Sequence, residues 1–308
     1  MVQNNGNLAG SFVPIVTPVH EDGTFDGQAC DRLVDRVMGG GASGVVALGT
    51  TGEFSLVPPA MRASVVRRIR QRLDPAAPLI VSCGRPSVRE TIDEVLEAEA
   101  EGASHCLVTP SYYLSLGPDE IMRQFAAIRA AAAMPLLYYH IPARTAGRGG
   151  AETVRRLHQD GLIVGLKDSG GPNPAFLDAM VTIRERDKGF EILLGGSSGL
   201  LQAAPLGVQA VTSATGCITP EIEAEVLQGI KVGDLAAAAS AQRKLVALIQ
   251  LILSANPENA AVGTKGLLAL TGVCGPWPLP PFGPASSAWM TSARERLGAI
   301  LGASFPIS

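Results

Sequence analysis

Lys167 is the first of only five lysines in a chain of 308 residues. It closes the apolar run Leu162-Ile163-Val164-Gly165-Leu166 and precedes the turn-formers Asp168, Ser169, Gly170 and Gly171. An amine at the end of a buried strand is costly to keep charged, and burial favours its neutral, nucleophilic form. Such an amine adds to a carbonyl carbon and, on loss of water, forms an imine. Groups suited to that chemistry recur elsewhere in the chain: Thr50 and Thr51 in a Gly-Thr-Thr-Gly-Glu turn, Tyr112 and Tyr113, then Tyr139, His140 and Arg144. Tyrosine and threonine hydroxyls can pass protons, and an arginine can hold a carboxylate with both arms of its fork. Each has a plainer rival reading. The Thr50–Glu53 block reads equally as a tight turn with a helix cap, Tyr112 and Tyr113 as packing aromatics, Arg144 as a surface ion-pair partner, and His140 as a hydrogen-bonded loop residue. Lys265, the competing lysine, falls in a helical stretch where exposure is the default.

The elements that must position these groups alternate regularly. Short apolar runs at Phe12–Val19, Val45–Leu48, Leu79–Cys83, His105–Thr109, Leu136–Tyr139, Ile163–Lys167, Phe190–Leu194 and Ala210–Ser213 read as strands buried on both faces. Amphipathic segments lie between them, the first with the stripe Cys30, Leu33, Val34 and Val37 after an Asp26 cap. This pattern predicts an α/β fold, a (β/α)8 TIM barrel. A doubly wound sheet is the runner-up, but no nucleotide-type glycine fingerprint follows the first strand. Past Pro220 the strand signals stop, and helices over Leu235–Ser254, Ala260–Thr271 and Ser286–Leu301 predict a C-terminal helical appendage. The expected division is a flexible tail over 1–10, a barrel over 11–228 and a helical domain over 229–308. In a barrel the C-terminal strand ends carry the chemistry, which is where Thr50, Tyr112, Tyr139, Lys167, Ser169, Gly195 and Ser213 fall. Tyr138 points opposite to Tyr139 by strand alternation.

Composition narrows the partners. A net charge of −3 with no basic stripe argues against nucleic acid, and the run Arg67-Arg68-Ile69-Arg70-Gln71-Arg72 reads as the solvated face of a helix. Five scattered cysteines, without a C-x-x-C pair or metal-type spacing to the four histidines, point to reduced thiols and no metal site. Met1–Gly10 lacks the pattern of a signal peptide, and the longest apolar candidate, Leu245–Leu253, is interrupted by Gln250. The expectation is a cytoplasmic protein without membrane contact.

Four blocks in this order carry a resemblance: Gly49-Thr50-Thr51-Gly52-Glu53, Thr109-Pro110-Ser111-Tyr112-Tyr113, Tyr139-His140-Ile141-Pro142-Ala143-Arg144-Thr145 and Gly165-Leu166-Lys167-Asp168, with Pro14-Ile15-Val16-Thr17-Pro18 before them. The chain resembles the dihydrodipicolinate synthase / N-acetylneuraminate lyase family of class I Schiff-base aldolases over nearly its whole length. The resemblance implies that Lys167 forms an imine with pyruvate or another 2-oxo acid, with no organic cofactor and no metal. It implies Tyr139 as the proton shuttle, Thr51 and Tyr112 as its relay, and Tyr112 reaching a neighbouring subunit. Thr50 and Thr51 would bind the substrate carboxylate, Arg144 the carboxylate of an aldehyde partner, and Ser169, Gly195 and Ser213 would complete the substrate site. A homotetramer built as a dimer of dimers is implied too.

Departures from the synthase pattern shape the expected substrate. Asp168-Ser169-Gly170-Gly171 stands where synthases usually read Glu-Ala-Thr-Gly and is similar to the 4-hydroxy-2-oxoglutarate aldolase branch. Cys83-Gly84-Arg85-Pro86-Ser87 replaces a glycine- and asparagine-rich stretch, and His140 stands where Asn is common. The expectation is a lyase cleaving or forming a 4-hydroxy-2-oxo acid or dehydrating a 2-keto-3-deoxy acid, with condensation of pyruvate and aspartate semialdehyde as the alternative. Two rivals of other classes are a barrel that binds without catalysis and a phosphate-binding enzyme using Gly195-Gly196-Ser197.

Overall fold

The structure, a computed structural model, describes residues 8–145, 149–171, 173–302 and 305. The first seven residues of the expected tail lie outside these, whereas Leu8 is already buried and Gly10 opens the first strand. Among the described residues, eight parallel strands close into one barrel in chain order. They are β1 (Gly10–Pro14), β2 (Gly44–Ala47), β3 (Leu79–Cys83), β4 (His105–Val108), β5 (Leu136–His140), β6 (Gly165–Asp168), β7 (Glu191–Gly195) and β8 (Ala210–Thr212). Around them lie α1 (Gly27–Gly39), α2 (Pro59–Arg72), α3 (Val88–Ala100), α4 (Pro118–Ala131), the short α5 (Pro142–Thr145), α6 (Ala151–Gln159), α7 (Pro174–Arg186), the short α8 (Leu200–Ala203) and α9 (Pro220–Val232). Then follow α10 (Leu235–Leu253), α11 (Ala260–Leu270) and α12 (Ser287–Leu301).

Strand alternation divides the apolar residues into two populations. Phe12, Val46, Ile80, Leu107, Leu137, Tyr139, Leu193 and Ala210 pack in the barrel interior. Their neighbours, such as Val45, Val81, Tyr138 and Leu166, join the helices in the larger outer core. Side-chain caps fix several helix starts: Asp26 accepts from the Ala29 amide, Asn173 from Phe176, Asn259 from Ala261 and Ser286 from Trp289.

Three details differ from the sequence pattern. The arginine run on α2 is paired rather than merely solvated: Arg67 Nε lies 2.8 Å from Glu101, and Arg72 bonds Asp35 at 2.6 Å. Helix α3 turns Glu94 inward and leaves Leu96 exposed, because two buried or half-buried guanidiniums, Arg62 at 3.1 Å and Arg85 at 2.6 Å, claim the Glu94 carboxylate. Helix α10 is 19 residues long and apolar enough to cross a membrane by length and composition; its stripe Ala238, Ala241, Leu245, Leu248 and Ile252 packs inside the protein. There Gln242 Nε2 donates to the Ser197 carbonyl at 2.6 Å. All five cysteines are buried and free.

Candidate active site

Tyr139 and Lys167 are register partners on β5 and β6, so both side chains point into the barrel at the same height. Lys167 is 5% exposed, with its Nζ 4.6 Å from the centre of the Tyr139 ring. The Tyr139 hydroxyl lies 3.2 Å from Thr50 Oγ1. Burial pushes that phenol up, but the Lys167 charge and hydrogen bonds with Thr50, Ser169 and Lys167 outweigh it and hold the hydroxyl below its ordinary value. A phenol so tuned gives up and recovers a proton more readily near neutral pH. Glycine at 195 leaves room for Ser169, whose Oγ would lie 2.0 Å from a Cβ at that position.

The resemblance implies Thr51 for the relay; the structure brings the Thr50 hydroxyl to the tyrosine, and Thr51 is buried. The geometry of the turn decides this. Leu48 and Glu53, on either side of the threonines, both adopt left-handed backbone (φ 54° and 57°), a conformation that costs a non-glycine residue about 1–3 kcal/mol. The Glu53 and Phe54 amides donate back to the Thr50 and Gly49 carbonyls at 3.1 and 3.2 Å, which tightens the turn and aims Thr50 inward.

Above Tyr139 opens a cavity of about 290 Å³. Thr50, Tyr139, Thr109 and Tyr112 line its polar side, and Phe54, Leu56, Ile141 and Phe282 its apolar side. Tyr112 lines the cavity of its own chain, its ring edge-on to Phe54 with centroids 6.1 Å apart. Burial raises the Tyr112 hydroxyl, with the Arg85 charge opposing. Arg144, on α5, stands at the outer rim, where its two arms reach Glu258: Nη1 to the carboxylate at 3.2 Å and Nη2 to the backbone carbonyl at 2.8 Å. The arginine expected to be open to a substrate carboxylate is thus held by a neighbouring acid.

Two expected residues sit differently. Ser213 belongs to a buried hydroxyl network outside the cavity lining, 3.1 Å from Ser197 Oγ and 2.8 Å from Thr215 Oγ1. Thr215 and Ser11 donate from there to the fully buried Glu223 at 2.7 and 2.5 Å. Because Ser197 is committed to this network, the proposed phosphate seat at Gly195-Gly196-Ser197 lacks its hydroxyl. His140 faces outward from β5, stacked 4.2 Å from the Phe176 ring, with Nε2 3.9 Å from Asp168 Oδ1. Burial lowers His140 and raises Asp168, whose Oδ1 also accepts from the Gly170 amide at 2.8 Å, so the pair shapes the turn after Lys167 from behind.

A lysine beside a tuned tyrosine and a threonine, at the C-terminal mouth of a closed barrel, has clear relatives. The family model described as the dihydrodipicolinate synthetase family matches residues 7–301. The chain belongs to that family. A 4-hydroxy-tetrahydrodipicolinate synthase of Nitrosospira multiformis is 32% identical over 295 residues, covering 96% of each chain. Among solved structures of the dihydrodipicolinate synthase group, YagE, a prophage protein of E. coli K12 in complex with pyruvate, superposes with a TM-score of 0.90 at 25% identity, covering 96% of this chain and 99% of its own. A structure described as the first monomeric dihydrodipicolinate synthase variant superposes at 0.87 with 27% identity, covering 94% of this chain and 96% of its own. The protein is a lyase of this family on a (β/α)8 barrel.

Sequence reasoning missed one group entirely. Lys265, expected on a solvent face of α11, is 0% exposed, and its Nζ bonds Glu53 Oε2 at 2.6 Å and the Trp277 carbonyl at 2.9 Å. The signal was present: Val262, Gly263, Gly266, Leu267 and Leu268 surround it in a helix buried nearly all round. A lysine in such a helix has no solvent face to occupy and requires an acid partner.

Proposed function

We propose that Lys167 is the Schiff-base lysine of a class I reaction on pyruvate or a related 2-oxo acid. Its amine adds to the C2 carbonyl, water leaves, and an imine forms. The protonated imine nitrogen accepts electrons as a C3 proton leaves, giving an enamine; in the cleavage direction the C3–C4 bond breaks instead and releases an aldehyde. The enamine carbon then takes a proton, or in the synthetic direction an aldehyde, to return to the imine, and addition of water frees the product and restores the amine. The imine is its own electron sink, so the chemistry calls for no organic cofactor and no metal. Tyr139 carries the proton to and from the substrate, Thr50 orients its hydroxyl, and Tyr112 lines the same cavity. General acid–base assistance of this kind is worth about 10²–10⁴-fold.

The observation that carries the reading is the Lys167–Tyr139–Thr50 cluster, with a buried amine and phenol and a half-buried hydroxyl at the C-terminal strand ends. The pyruvate complex of YagE supports a 2-oxo acid as the partner. The Arg144–Glu258 pair favours 4-hydroxy-2-oxo-acid cleavage or 2-keto-3-deoxy-acid dehydration, since the guanidinium is already engaged. The names of the curated relatives favour a second reading, condensation with aspartate semialdehyde, in which the aldehyde's carboxylate displaces Glu258 from Arg144.

Borohydride reduction in the presence of pyruvate, followed by intact mass measurement, tests the reading. A reduced adduct on the native protein that is absent from Lys167→Ala is expected; no adduct with any of several 2-oxo acids overturns it. Aldehyde-acceptor screening then separates the two substrate readings. A cytoplasmic homotetramer is the proposed state, supported by the family resemblance and the five free thiols, and light scattering reads the assembly directly.

A further inference from the structure

The turn that carries Thr50 is anchored from far along the chain. Glu53 is buried, and its carboxylate uses both oxygens on groups from the C-terminal third. Oε2 accepts from Lys265 Nζ at 2.6 Å, while Oε1 accepts from the Leu279 amide at 2.9 Å and from Asn259 Nδ2 at 3.5 Å. The ammonium donates on to the Trp277 carbonyl at 2.9 Å, so the loop after α11 is stitched into the same knot. From the barrel side, Thr17 Oγ1 holds the Gly52 carbonyl at 2.7 Å.

Between this knot and the reacting groups lie two hydrogen bonds. The Glu53 amide donates to the Thr50 carbonyl at 3.1 Å, and Thr50 Oγ1 meets the Tyr139 hydroxyl at 3.2 Å. The turn is bracketed by left-handed Leu48 and Glu53, a backbone that persists only where its surroundings hold it. Neither Glu53 nor Lys265 takes part in the chemistry proposed for Lys167, and a buried ion pair is a poor device for stability alone, because desolvating both charges offsets much of their attraction.

We propose that Glu53 and Lys265 are positioning residues: the C-terminal helical unit clamps the Thr50 turn through them and so keeps Thr50 against the Tyr139 hydroxyl. The role rests on the Schiff-base reading of Lys167, because the clamp serves proton transfer after the imine has formed. Releasing it leaves Lys167 on β6 untouched and lets the turn relax. Imine formation then survives while exchange of the pyruvate C3 protons slows.

The test compares the native full-length chain with Lys265→Met and with the double variant Glu53→Gln/Lys265→Met, which removes both charges and avoids leaving a lone buried carboxylate. Borohydride trapping with pyruvate counts the sites that form an imine. Deuterium uptake at the pyruvate methyl group in D2O, followed by NMR, gives the proton-transfer rate per trapped site. Normalising to trapped sites removes any loss of folded protein, so a role confined to stability leaves the ratio unchanged. The expected result is trapping in all three proteins with exchange per site about 10–100-fold slower in both variants. Exchange within about threefold of the native value in either folded variant overturns the clamp while leaving Lys167 its role. Failure of the native protein to trap any 2-oxo acid overturns the lysine reading, and the clamp with it.

Discussion

Lys167 and Lys265 are both buried lysines, 5% and 0% exposed, and their surroundings assign them opposite work. Lys265 lies 2.6 Å from a carboxylate and donates to a backbone carbonyl besides, so its charge is satisfied and its amine immobilised. Lys167 faces the ring of Tyr139, with hydroxyls rather than an acid around that ring. An amine tied to a carboxylate builds structure, whereas the Lys167 amine faces an aromatic ring and hydroxyls and has no carboxylate ion pair among the described residues. Burial by itself therefore says little about a lysine, and the partner says nearly everything.

The contrast can be broken at either lysine. The largest expected effect is at Lys167: replacement by Ala abolishes borohydride trapping and lowers turnover by about 10⁴-fold or more while leaving thermal unfolding near the native midpoint, because no carboxylate is abandoned. Tyr139→Phe comes next, with turnover reduced about 10²–10⁴-fold in steady-state kinetics and trapping retained. At the other lysine a loss in stability joins the slower proton transfer: Lys265→Ala strands Glu53 without its counter-charge and costs about 3–5 kcal/mol in urea unfolding.

A third buried charge sharpens the same point. Glu223 has hydroxyl donors but no cation in its bonding, and burial pushes it from the ordinary 4.5 up to about 7. A carboxyl raised on folding stabilises the protein fully below the unfolded pKa and loses that contribution as pH rises. Stability should fall between about pH 4.5 and pH 7 by on the order of 3 kcal/mol, seen as a drop in the thermal midpoint, and Glu223→Gln should flatten the curve. The smallest effect belongs to the exposed pair at the rim. Glu258→Ala removes the carboxylate from Arg144 and leaves only the bond to the backbone carbonyl, which should raise kcat/KM for aldehydes bearing a carboxylate by about tenfold or less, with stability changed by under about 1 kcal/mol.

The barrel was legible because each of its strands is buried on two faces and therefore reads as a short apolar run, and because a helical stripe separates each from the next. Lys167 and Tyr139 were legible for a related reason, since a polar residue closing such a run has few explanations. The relay was expected at Thr51, yet Thr50 is the threonine that meets Tyr139, because the choice depends on the left-handed backbone at Leu48 and Glu53, which neither residue type announces. Glu53 and Lys265 were opaque as a pair: a turn acid and a helical lysine 212 positions apart share no local pattern. The role of Arg144 at the rim was hidden likewise by Glu258, which arrives from a different loop.

The order of the chain gives that clamp a further consequence. All eight strands precede Thr219, whereas Asn259, Lys265, Trp277 and Leu279 come after the barrel sequence is complete. During synthesis from the N-terminus, Lys167 and Tyr139 can therefore be side by side before the Thr50 turn has anything to grip it. If the proposed clamp holds, proton transfer would be the step that waits for the final third of the chain, even where a nascent barrel could already bind a 2-oxo acid.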